Sequence, residues 1–473
     1  MERFFYPNSI VIFGASKNEK KGGNHVLRNI LNFTRDNVFV IHPRHQEIYG
    51  IKCYKEIFEL PQEEIDLAII ILPVEYVLDT LEECLRFGVK SIILESGSLY
   101  IKGESDKNIE KRVQDIKSKI GKLYESRIMG PNSIGIYSAK KNNTGLITSL
   151  IYFDQLPTLK ERNLAVVSQT GLTLSGLLQS YNYIQEFGIS KIASIGNKFD
   201  VNESDILDFL ENDDDTDAIG LYLEDIKDGI RFKEQCRRIM KNKPIILLKS
   251  GKTEKGKKAI ISHTKSLAGN YKVIEALCRQ LGIIEVDDFD EMFNVAKCLL
   301  NQPIPKSNRI GIISISGAGT VLSSDLSEKY DLRLVEMNET QIGELHEIFP
   351  KFAWHDIYNP LDIWSAVEKV GPDTAYKFSG DMFLKENNID ILIYFLTGIE
   401  ETEFDWNILH EFNQKYPNTA IYMGFFGGDK KLLLKWREVL EDKLNIPTFE
   451  SITTLFRTIS KIMRLKKKDK KSE

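Results

Sequence analysis

Residues 164–171, LAVVSQTG, join a short apolar strand to a turn of small residues. The same pattern stands at residues 9–16, SIVIFGAS, and at residues 309–320, RIGIISISGAGT. Each stretch opens one third of the chain and precedes an amphipathic helical pattern. Further apolar strands alternate with helices, which predicts α/β domains with parallel sheets and right-handed crossovers. Such sheets bind their ligands at the carboxyl ends of the strands.

The small residues of the three turns suit an anionic ligand. They let the backbone N–H groups at a helix start come close to the ligand, and the helix dipole favours phosphate there. The candidate positions are Gly14, Ala15, Ser16, Ser168, Gln169, Thr170, Gly171, Gly317, Ala318 and Gly319. Any open α/β sheet begins in this way, so each turn taken alone is also compatible with a purely structural role.

The composition restricts the class of protein. A chain of 473 residues should hold about three domains. We expect them at 1–145, 155–300 and 306–463, followed by a basic tail at 464–473. The net charge of −5 does not indicate nucleic acid as a partner, and no apolar run reaches the length of a membrane span. Five cysteines without CxxC spacing favour neither a metal site nor disulfides, so we expect a cytoplasmic protein.

The first turn does not match a dinucleotide-binding site. Its sequence, GASKNEKKGG, lacks the GxGxxG order. The second predicted strand ends in Pro43 and Arg44, where an NAD site would place a carboxylate for the ribose hydroxyls. An arginine suits a phosphorylated ribose instead, as in NADP or coenzyme A, and Lys21 adds positive charge to the same loop. The alternative is a loop that only reverses the direction of the chain and binds no ligand.

A single histidine stands out in the second third of the chain. His263 lies in the stretch KPIILLKSGKTEKGKKAIISHTKSLAGN, between a predicted strand at Ile245–Leu248 and a helix N-capped by Asn270. We expect His263 in a loop that belongs to neither element. A mobile imidazole can accept and release a phosphoryl group, although an ordinary surface histidine is an open alternative.

Together these motifs resemble the α subunit of ADP-forming acyl-CoA synthetase, also called acetate–CoA ligase (ADP-forming), a relative of succinyl-CoA synthetase. The resemblance runs over roughly residues 6 to 460. It is carried by VIFGAS, HPRHQEIYGIKCY, LPVEYVLDTLEECLRFGVKSIIL, RIMGPNSIGI, VVSQTG, SIGNKFDVNESDILDFL, LYLEDIKDG, SGKTEKGKKAIISHTKSLAG and YNPLDIW, in this order. No single motif is decisive, but their order and spacing make the match specific.

The resemblance implies a fold and a reaction. It implies an N-terminal Rossmann-like CoA-binding domain followed by two flavodoxin-like, succinyl-CoA synthetase-like domains with parallel sheets. It also implies a ligase that interconverts acyl-CoA, phosphate and ADP with free acid, CoA and ATP, through an acyl phosphate and a phosphohistidine. By position, His263 in SHTK would carry the phosphate, and Glu224 in LYLED would hydrogen-bond its imidazole.

The resemblance also implies ligands and a partner. Phosphate would lie between the helix starts after Ser168–Gly171 and after Ser316–Thr320. The CoA positions would be Gly14, Ala15, Ser16, Lys21, Pro43, Arg44, Pro73 and Asn132. Three domains use the whole length, so a separate ATP-grasp β subunit would bind ADP or ATP with Mg²⁺, in an αβ or α2β2 complex.

Five positions depart from the family pattern, and two of them, Leu172 and Thr173 after SQTG, are bulkier than usual. Lys265 and Ala318 stand where glycine is common, and Ser133 stands where cysteine is common. Lys265 in particular keeps open a second interpretation, a non-catalytic CoA-sensing or acyl-CoA-sensing protein of the same fold. An NADP-dependent oxidoreductase is a third possibility, which the missing GxGxxG motif disfavours.

Overall fold

A computed structural model describes residues 1–96, 111–112, 114–116, 118, 125–141, 144–178, 187–264, 269–385 and 388–466, and at 144, 261–264 and 466 it describes the backbone only. The chain divides into two compact units, residues 1–277 and 278–473. The first unit contains two sheets, and the second unit is built around a third.

The first sheet carries the N-terminal turn. Its strands are β1 (Ile10–Phe13), β2 (Val38–Ile41), β3 (Glu47–Ile48), β4 (Ile51–Tyr54), β5 (Leu67–Ile70), β6 (Ser91–Leu94) and β7 (Arg127–Met129), in the order β3-β4-β2-β1-β5-β6-β7. Only the β3–β4 pair is antiparallel. The helices of this part are α1 (Glu2–Phe5), α2 (Gly22–Leu31) and α3 (Val74–Phe87). Because β1, β5 and β6 are buried along their whole length, their continuous aliphatic runs are those of a parallel sheet covered on both faces.

Helix α3 shows how local sequence sets an element. Val77, Leu78, Leu81 and Leu85 recur at helical spacing, and all four are buried against the sheet. Gly88 ends the helix with a φ of +91°, and its N–H donates to the Cys84 carbonyl oxygen at 3.1 Å. The apolar stripe therefore fixes the packed face, and the glycine fixes the point at which the chain turns toward β6.

The second sheet also lies in the first unit. Its strands there are β8 (Gly135–Lys141), β9 (Thr144–Ile147), β10 (Asn163–Ser168), β11 (Gly188–Ser194), β12 (Ala218–Leu223) and β13 (Ile245–Lys249), in the order β13-β12-β10-β11-β8-β9. The hairpin β8–β9 extends across residue 145 and joins this sheet antiparallel to β11. The helices that follow are α4 (Glu203–Glu211), α5 (Gly229–Ile239), α6 (Glu254–Thr264) and α7 (Tyr271–Leu281). Helix α7 begins one residue after Asn270, and the Asn270 side chain accepts the Lys272 N–H at 3.1 Å.

The third sheet is entirely parallel. After β14 (Ile284–Val286), the second unit contains β15 (Arg309–Ser314), β16 (Arg333–Leu334), β17 (Leu361–Asp362), β18 (Ile391–Gly398), β19 (Ala420–Gly428) and β20 (Thr448–Phe449). The sheet order is β16-β15-β18-β19-β20, and β17 also pairs with β15. Its helices are α8 (Phe289–Asn301), α9 (Gly317–Lys329), α10 (Glu339–Leu345), α11 (Trp364–Val370), α12 (Pro372–Leu384), α13 (Asn407–Lys415), α14 (Lys430–Arg437) and α15 (Ile452–Ile462).

The predicted α/β class with parallel sheets is therefore confirmed. Within the described ranges, no helix has both the length and the hydropathy needed to cross a bilayer. Among the same residues, no group of three or more His, Cys, Asp or Glu side chains is placed to hold a metal ion.

Candidate active site

The turn between β1 and α2 is closely packed backbone. Gly14 has a φ of +92°, and a Cβ atom there would overlap the carbonyl oxygen of Ile71. A Cβ atom on Gly23, in the first turn of α2, would overlap the Gly14 carbonyl oxygen. Only glycine permits these two approaches. The ten-residue helix α2, with Lys21 as its N-cap, therefore begins directly beside the turn, where its N–H groups can face an anion.

Side chains of the turn hold its shape. The carbonyl oxygen of Ser16 accepts the Asn24 Nδ2–H at 2.8 Å, and the Ser16 hydroxyl accepts the Asn18 N–H at 3.1 Å. Asn24 is fully buried, so this bond anchors the turn to the helix core. Ala15 is buried as well, while Lys21 is exposed. Of the predicted residues in this turn, Lys21 is thus the one whose charge faces solvent.

The end of β2 positions the predicted arginine. His42 Nδ1 accepts the backbone N–H of Arg44 at 3.1 Å and that of His45 at 3.0 Å. Burial lowers the pKa of His42, and the neighbouring His45 and Arg44 lower it further, which favours the neutral ring that these two bonds need. Pro43 and Arg44 are exposed on this turn. The sequence showed Arg44 but gave no sign that His42 shapes its turn.

The remaining predicted CoA residues lie on the same edge. Pro73 follows β5 and is the N-cap of α3. Asn132 follows β7 with a φ of +60°, and its N–H donates to the Ser96 carbonyl oxygen at 3.0 Å. The predicted positions thus follow the carboxyl ends of β2, β1, β5 and β7, which are strands of one parallel sheet. This is the edge where such sheets bind ligands.

Ser133 has a structural use in the GPNSIG turn. Its hydroxyl donates to the Ser194 carbonyl oxygen at 2.6 Å and accepts the Gly135 N–H at 2.9 Å. Ser133 is buried, so both bonds are shielded from water. The turn is thereby joined to the carboxyl end of β11 in the second sheet. Ser133 stands where cysteine is common, and a thiol would form these two hydrogen bonds only weakly.

The turn after β10 is held mainly by its own groups. The Ser168 hydroxyl accepts the Thr170 N–H at 3.1 Å and donates to the Thr170 carbonyl oxygen at 3.0 Å, and the Gln169 N–H donates to the Tyr222 carbonyl oxygen at 3.1 Å. Gly171 begins a 3-10 helix, Gly171–Leu174, and α-helical backbone follows at residues 176–178. The Thr170 hydroxyl caps this short helix by accepting the Leu172 N–H at 3.3 Å. The α-helix expected after this turn therefore begins a few residues later than Gly171, because this cap closes a tighter turn first.

Gln169 fixes the backbone that carries Glu224. Its Oε1 accepts the N–H groups of Glu224 at 2.6 Å and Asp225 at 3.0 Å, and its Nε2–H donates to Asp225 Oδ1 at 2.7 Å. The Gln169 side chain is therefore used within the protein, and it is positioned to orient Glu224 rather than to face a phosphate. Glu224 directly follows β12 and is 4% exposed, and the Tyr222 hydroxyl lies 3.5 Å from its Oε1.

Two buried lysines complete this edge, and neither was singled out from the sequence. Lys198 Nζ pairs with Asp225 Oδ1 at 2.6 Å and with Glu203 Oε2 at 2.9 Å. Burial would raise the pKa of Asp225, but Lys198 and the Gln169 amide outweigh it and hold that pKa below its ordinary value. Lys249, at the end of β13, donates to the Glu224 carbonyl oxygen at 2.6 Å. Burial lowers the pKa of Lys249 to about 8, although Asp225 and Glu224 act in the opposite direction.

His263 lies in a helix. The backbone of helix α6 runs from Glu254 through Thr264, so the expectation of a loop around His263 is wrong. Thr253 begins the helix, because its hydroxyl accepts the Gly256 N–H at 3.1 Å, and the Lys, Ala and Ile residues that follow are compatible with helix. The side chain of His263 and the whole of Lys265 lie outside the described residues. The helix itself follows β13 and Lys249 closely in sequence.

The second unit repeats the strand-end serine. The Ser314 hydroxyl accepts the Ser316 N–H at 3.2 Å and donates to the Ser316 carbonyl oxygen at 2.8 Å, as Ser168 does with Thr170. Here the 13-residue helix α9 begins at Gly317, as predicted, and Gly317 and Ala318 are exposed. Gly319 is buried, and a Cβ atom there would overlap the Ser314 hydroxyl. The Asp362 carboxylate lies beside Gly317, and burial raises its pKa despite the Trp364 N–H that it accepts.

Comparisons with known proteins agree with this arrangement. Residues 8–139 match the CoA binding domain family, and residues 161–299 match the succinyl-CoA ligase like flavodoxin domain family. The chain is 35% identical over 460 residues to acetate–CoA ligase (ADP-forming) II subunit alpha of Pyrococcus furiosus, which covers 95% of this chain and 94% of the relative. It is 32% identical over 468 residues to acetate–CoA ligase (ADP-forming) II of Archaeoglobus fulgidus, which covers 98% of this chain and 67% of that longer relative.

A solved structure is similar over almost the whole length. It is the dinucleotide forming acetyl-coenzyme A synthetase 1 of Ca. Korarchaeum cryptofilum in complex with phosphate and ADP. The TM-score is 0.82 at 27% identity, with 99% of this chain and 97% of that chain covered. Fold and site together define an NDP-forming acyl-CoA ligase of the succinyl-CoA synthetase type. The chain belongs to the ADP-forming acetate–CoA ligase family, as its motifs predicted.

Proposed function

We propose that this chain carries out the CoA and phosphohistidine half of an ADP-forming acyl-CoA ligase reaction. Acyl-CoA and phosphate give an acyl phosphate and CoA, the phosphoryl group passes to His263, and ADP finally accepts it. The observation that carries the proposal is the continuous row of polar contacts in the first unit, from Asn132 in GPNSIG to Glu224 and Lys249. Its members lie at the end of a strand or within a few residues after it, at the edge where ligands bind.

The row can be followed bond by bond. The N–H of Asn197 donates to the Pro131 carbonyl oxygen at 2.9 Å, which connects the GPNSIG turn to the loop after β11. Lys198, the next residue, pairs with Asp225. The neighbouring Glu224 receives the Lys249 hydrogen bond at its carbonyl oxygen. The segment that carries Glu224 is thus held by Lys198, through Asp225, and by Lys249. A rigid edge of this kind supports a carboxylate that orients an imidazole.

The residues of the first sheet fit CoA. The close approach of Gly14 and Gly23 leaves room for a diphosphate at the start of α2, and exposed Arg44 suits the ribose 3′-phosphate. Lys21 adds charge beside the same turn, and Pro73 lies further along the edge. When bound, CoA supplies the thiol that leaves or attacks the acyl carbonyl group.

We assign catalysis to His263 and Glu224. A carboxylate that accepts a hydrogen bond from one ring nitrogen fixes the tautomer and leaves the other nitrogen free to attack phosphorus. Phosphate binding is proposed for the turns Ser168–Gly171 and Gly317–Gly319, each considered within its own unit. In the first turn the Gly171 N–H remains the candidate donor, because Gln169 and Thr170 donate to protein oxygens.

We further propose a partner that supplies nucleotide binding. The Pyrococcus furiosus relative is named a subunit alpha, and the chain spans 67% of the longer Archaeoglobus fulgidus relative. An ATP-grasp β subunit that binds ADP or ATP with Mg²⁺, in an αβ or α2β2 complex, would complete the reaction. The domain limits 1–145, 155–300 and 306–463 and a cytoplasmic location belong to the same proposal. The thiols of Cys53 and Cys84, which are not in disulfides, are compatible with a reducing compartment.

Radioactive labelling tests the phosphohistidine. Incubation of the chain with acyl-CoA and radioactive phosphate should label His263 with a bond that is stable to alkali and labile to acid. His263→Ala should abolish the label, and His410→Ala, on the exposed face of α13, is the matched control that should retain it. Equal labelling of the His263→Ala protein would refute the assignment, and an unaltered chain that takes no label would favour a protein that only senses CoA.

A further inference from the structure

Glu95 is a buried acid that has no role in the reaction steps described above. It follows β6 directly, and its backbone N–H donates to the Ile70 carbonyl oxygen at 3.1 Å. Its side chain lies 3% exposed, and neither carboxyl oxygen has a hydrogen bond of normal geometry within the described residues. Buried polar groups are nearly always paired, so a buried carboxyl group without partners at a ligand-binding edge calls for an explanation.

The surroundings of Glu95 are almost uncharged. Burial raises the pKa of its carboxyl group well above the usual range, and the Thr148 hydroxyl, which faces it, opposes this only in part. No charged side chain of the described residues contributes to the shift. A Cβ atom on Gly135 would approach Glu95 Oε1, so the carboxyl group is directed at the GPNSIG turn. Burial therefore favours the protonated form of the Glu95 carboxyl group, which can donate a proton.

The strand order indicates which part of CoA reaches this acid. Arg44 follows β2, Gly14 follows β1, Pro73 follows β5 and Glu95 follows β6, and these four strands are consecutive neighbours in the sheet. At about 4.8 Å per strand, Glu95 lies roughly 14 Å along the edge from the Arg44 strand. A CoA molecule with its phosphates at β2 and β1 and its chain extended along this edge brings its sulfur to β6.

The GPNSIG turn closes the far side of this position. The N–H of Ser133 donates to the Leu94 carbonyl oxygen at 3.2 Å, and the N–H of Asn132 donates to that of Ser96, so these two bonds flank Glu95. The same turn continues to Asn197 and the row that ends at Glu224. Glu95 therefore lies where the CoA edge of the first sheet meets the phosphoryl-transfer edge of the second.

We propose that Glu95 is the proton donor to the sulfur of CoA in the thioester step, an inference that rests on the function proposed above. As phosphate attacks the acyl carbonyl carbon, the C–S bond breaks and the departing thiolate takes the proton of the Glu95 carboxyl group, which gives CoA thiol. The proton that hydrogen phosphate loses on forming the acyl phosphate restores Glu95 afterwards. In the synthetic direction the Glu95 carboxylate removes the thiol proton as sulfur attacks the acyl phosphate.

Arsenate separates this step from histidine phosphorylation. With acetyl-CoA and arsenate, the acyl arsenate hydrolyses in water, so the released CoA thiol reports the thioester step alone. Glu95→Gln should lower this release about 10²- to 10⁴-fold at pH 7, the usual range for loss of a general acid. The deficit should narrow as the pH rises past about 8.5, because a thiolate then leaves without a proton. Glu82→Gln, at an exposed ion pair with Arg86 on α3, is the matched control that should leave the rate unchanged.

A second reaction distinguishes this role from a general loss of structure. Labelling of His263 from radioactive acetyl phosphate needs no CoA, so Glu95→Gln should label as the unaltered chain does. Unchanged arsenolysis in Glu95→Gln, or a deficit that stays constant from pH 6 to 9.5, would overturn the inference. If Glu95→Gln loses both reactions, Glu95→Asp decides, since arsenolysis reduced with labelling intact supports the role and any other result overturns it. An unaltered chain that performs neither reaction would refute the proposed function itself.

Discussion

Replacing Gln169 by Ala tests whether the Gln169 amide holds the segment that carries Glu224. The change removes the acceptor of the Glu224 and Asp225 N–H groups and the donor to the Asp225 carboxylate. Each neutral bond contributes about 1 kcal/mol and the bond to the charged carboxylate about 2 kcal/mol, which sums to roughly 4 kcal/mol of local stability. Because 1.4 kcal/mol corresponds to a factor of ten, the segment should open about 10³ times more readily.

Hydrogen–deuterium exchange at the amides of Glu224 and Asp225 measures this opening directly. We expect the two amides to exchange about 10³ times faster in Gln169→Ala, and the yield of phosphorylated His263 to fall with them. Gln169→Glu is the informative companion, because it keeps the acceptor oxygen but places a second carboxylate beside Asp225. An acceleration of less than tenfold in Gln169→Ala would show that the amide does not hold this segment and would refute the role assigned to it.

The two remaining predictions concern Lys249 and Gly23. With its folded pKa lowered to about 8, Lys249 binds fewer protons folded than unfolded between pH 8 and 10.5. Stability should therefore rise with pH across that window, and urea midpoints of Lys249→Met should lack this rise. Gly23→Ala would place a methyl group against the Gly14 carbonyl oxygen, at a cost of about 1–3 kcal/mol, and should weaken CoA binding measured by calorimetry. Gly229→Ala, with open space around its Cβ position, should neither destabilise the chain nor weaken CoA binding.

The sequence was sufficient for the fold because its signals there are periodic and local. Short aliphatic runs such as Ile10–Phe13 and Arg309–Ser314 are bounded by small residues, and they became buried parallel strands. The β8–β9 hairpin was not predicted, because its polar sequence has the composition of a linker and it acquires strand structure by pairing with β11. Cross-strand partners distant in sequence decide such segments, and no local pattern records them.

The candidate site was predictable only in part, for the same reason. Glycine turns and Arg44 are recognisable in isolation, because each has a conformational or electrostatic property of its own. The sequence does not distinguish Lys198, Lys249 and Glu95 from other charged residues. They become buried only because they lie at or within a few residues of the ends of β11, β13 and β6 in the folded sheets. The loop expected around His263 was wrong because the residues between β13 and α7 were assigned to neither element, whereas residues 254–264 form a helix of their own. Thr253 in fact caps a helix there, and a cap outweighs weak propensities over a short segment.

The placement of charges along the first unit favours a division of labour between its two sheets. On the edge of the second sheet the buried Lys198 is neutralised by close partners, Asp225 and Glu203. On the edge of the first sheet Arg44 and Lys21 are exposed, and Glu95 is buried, which raises the pKa of its carboxyl group. Exposed cations suit a polyanionic ligand that binds and leaves, whereas a paired network suits a carboxylate that must keep one orientation through many turnovers. The GPNSIG turn is hydrogen-bonded to both edges, so under the proposed function a thioester bound at the first sheet would meet the paired network of the second.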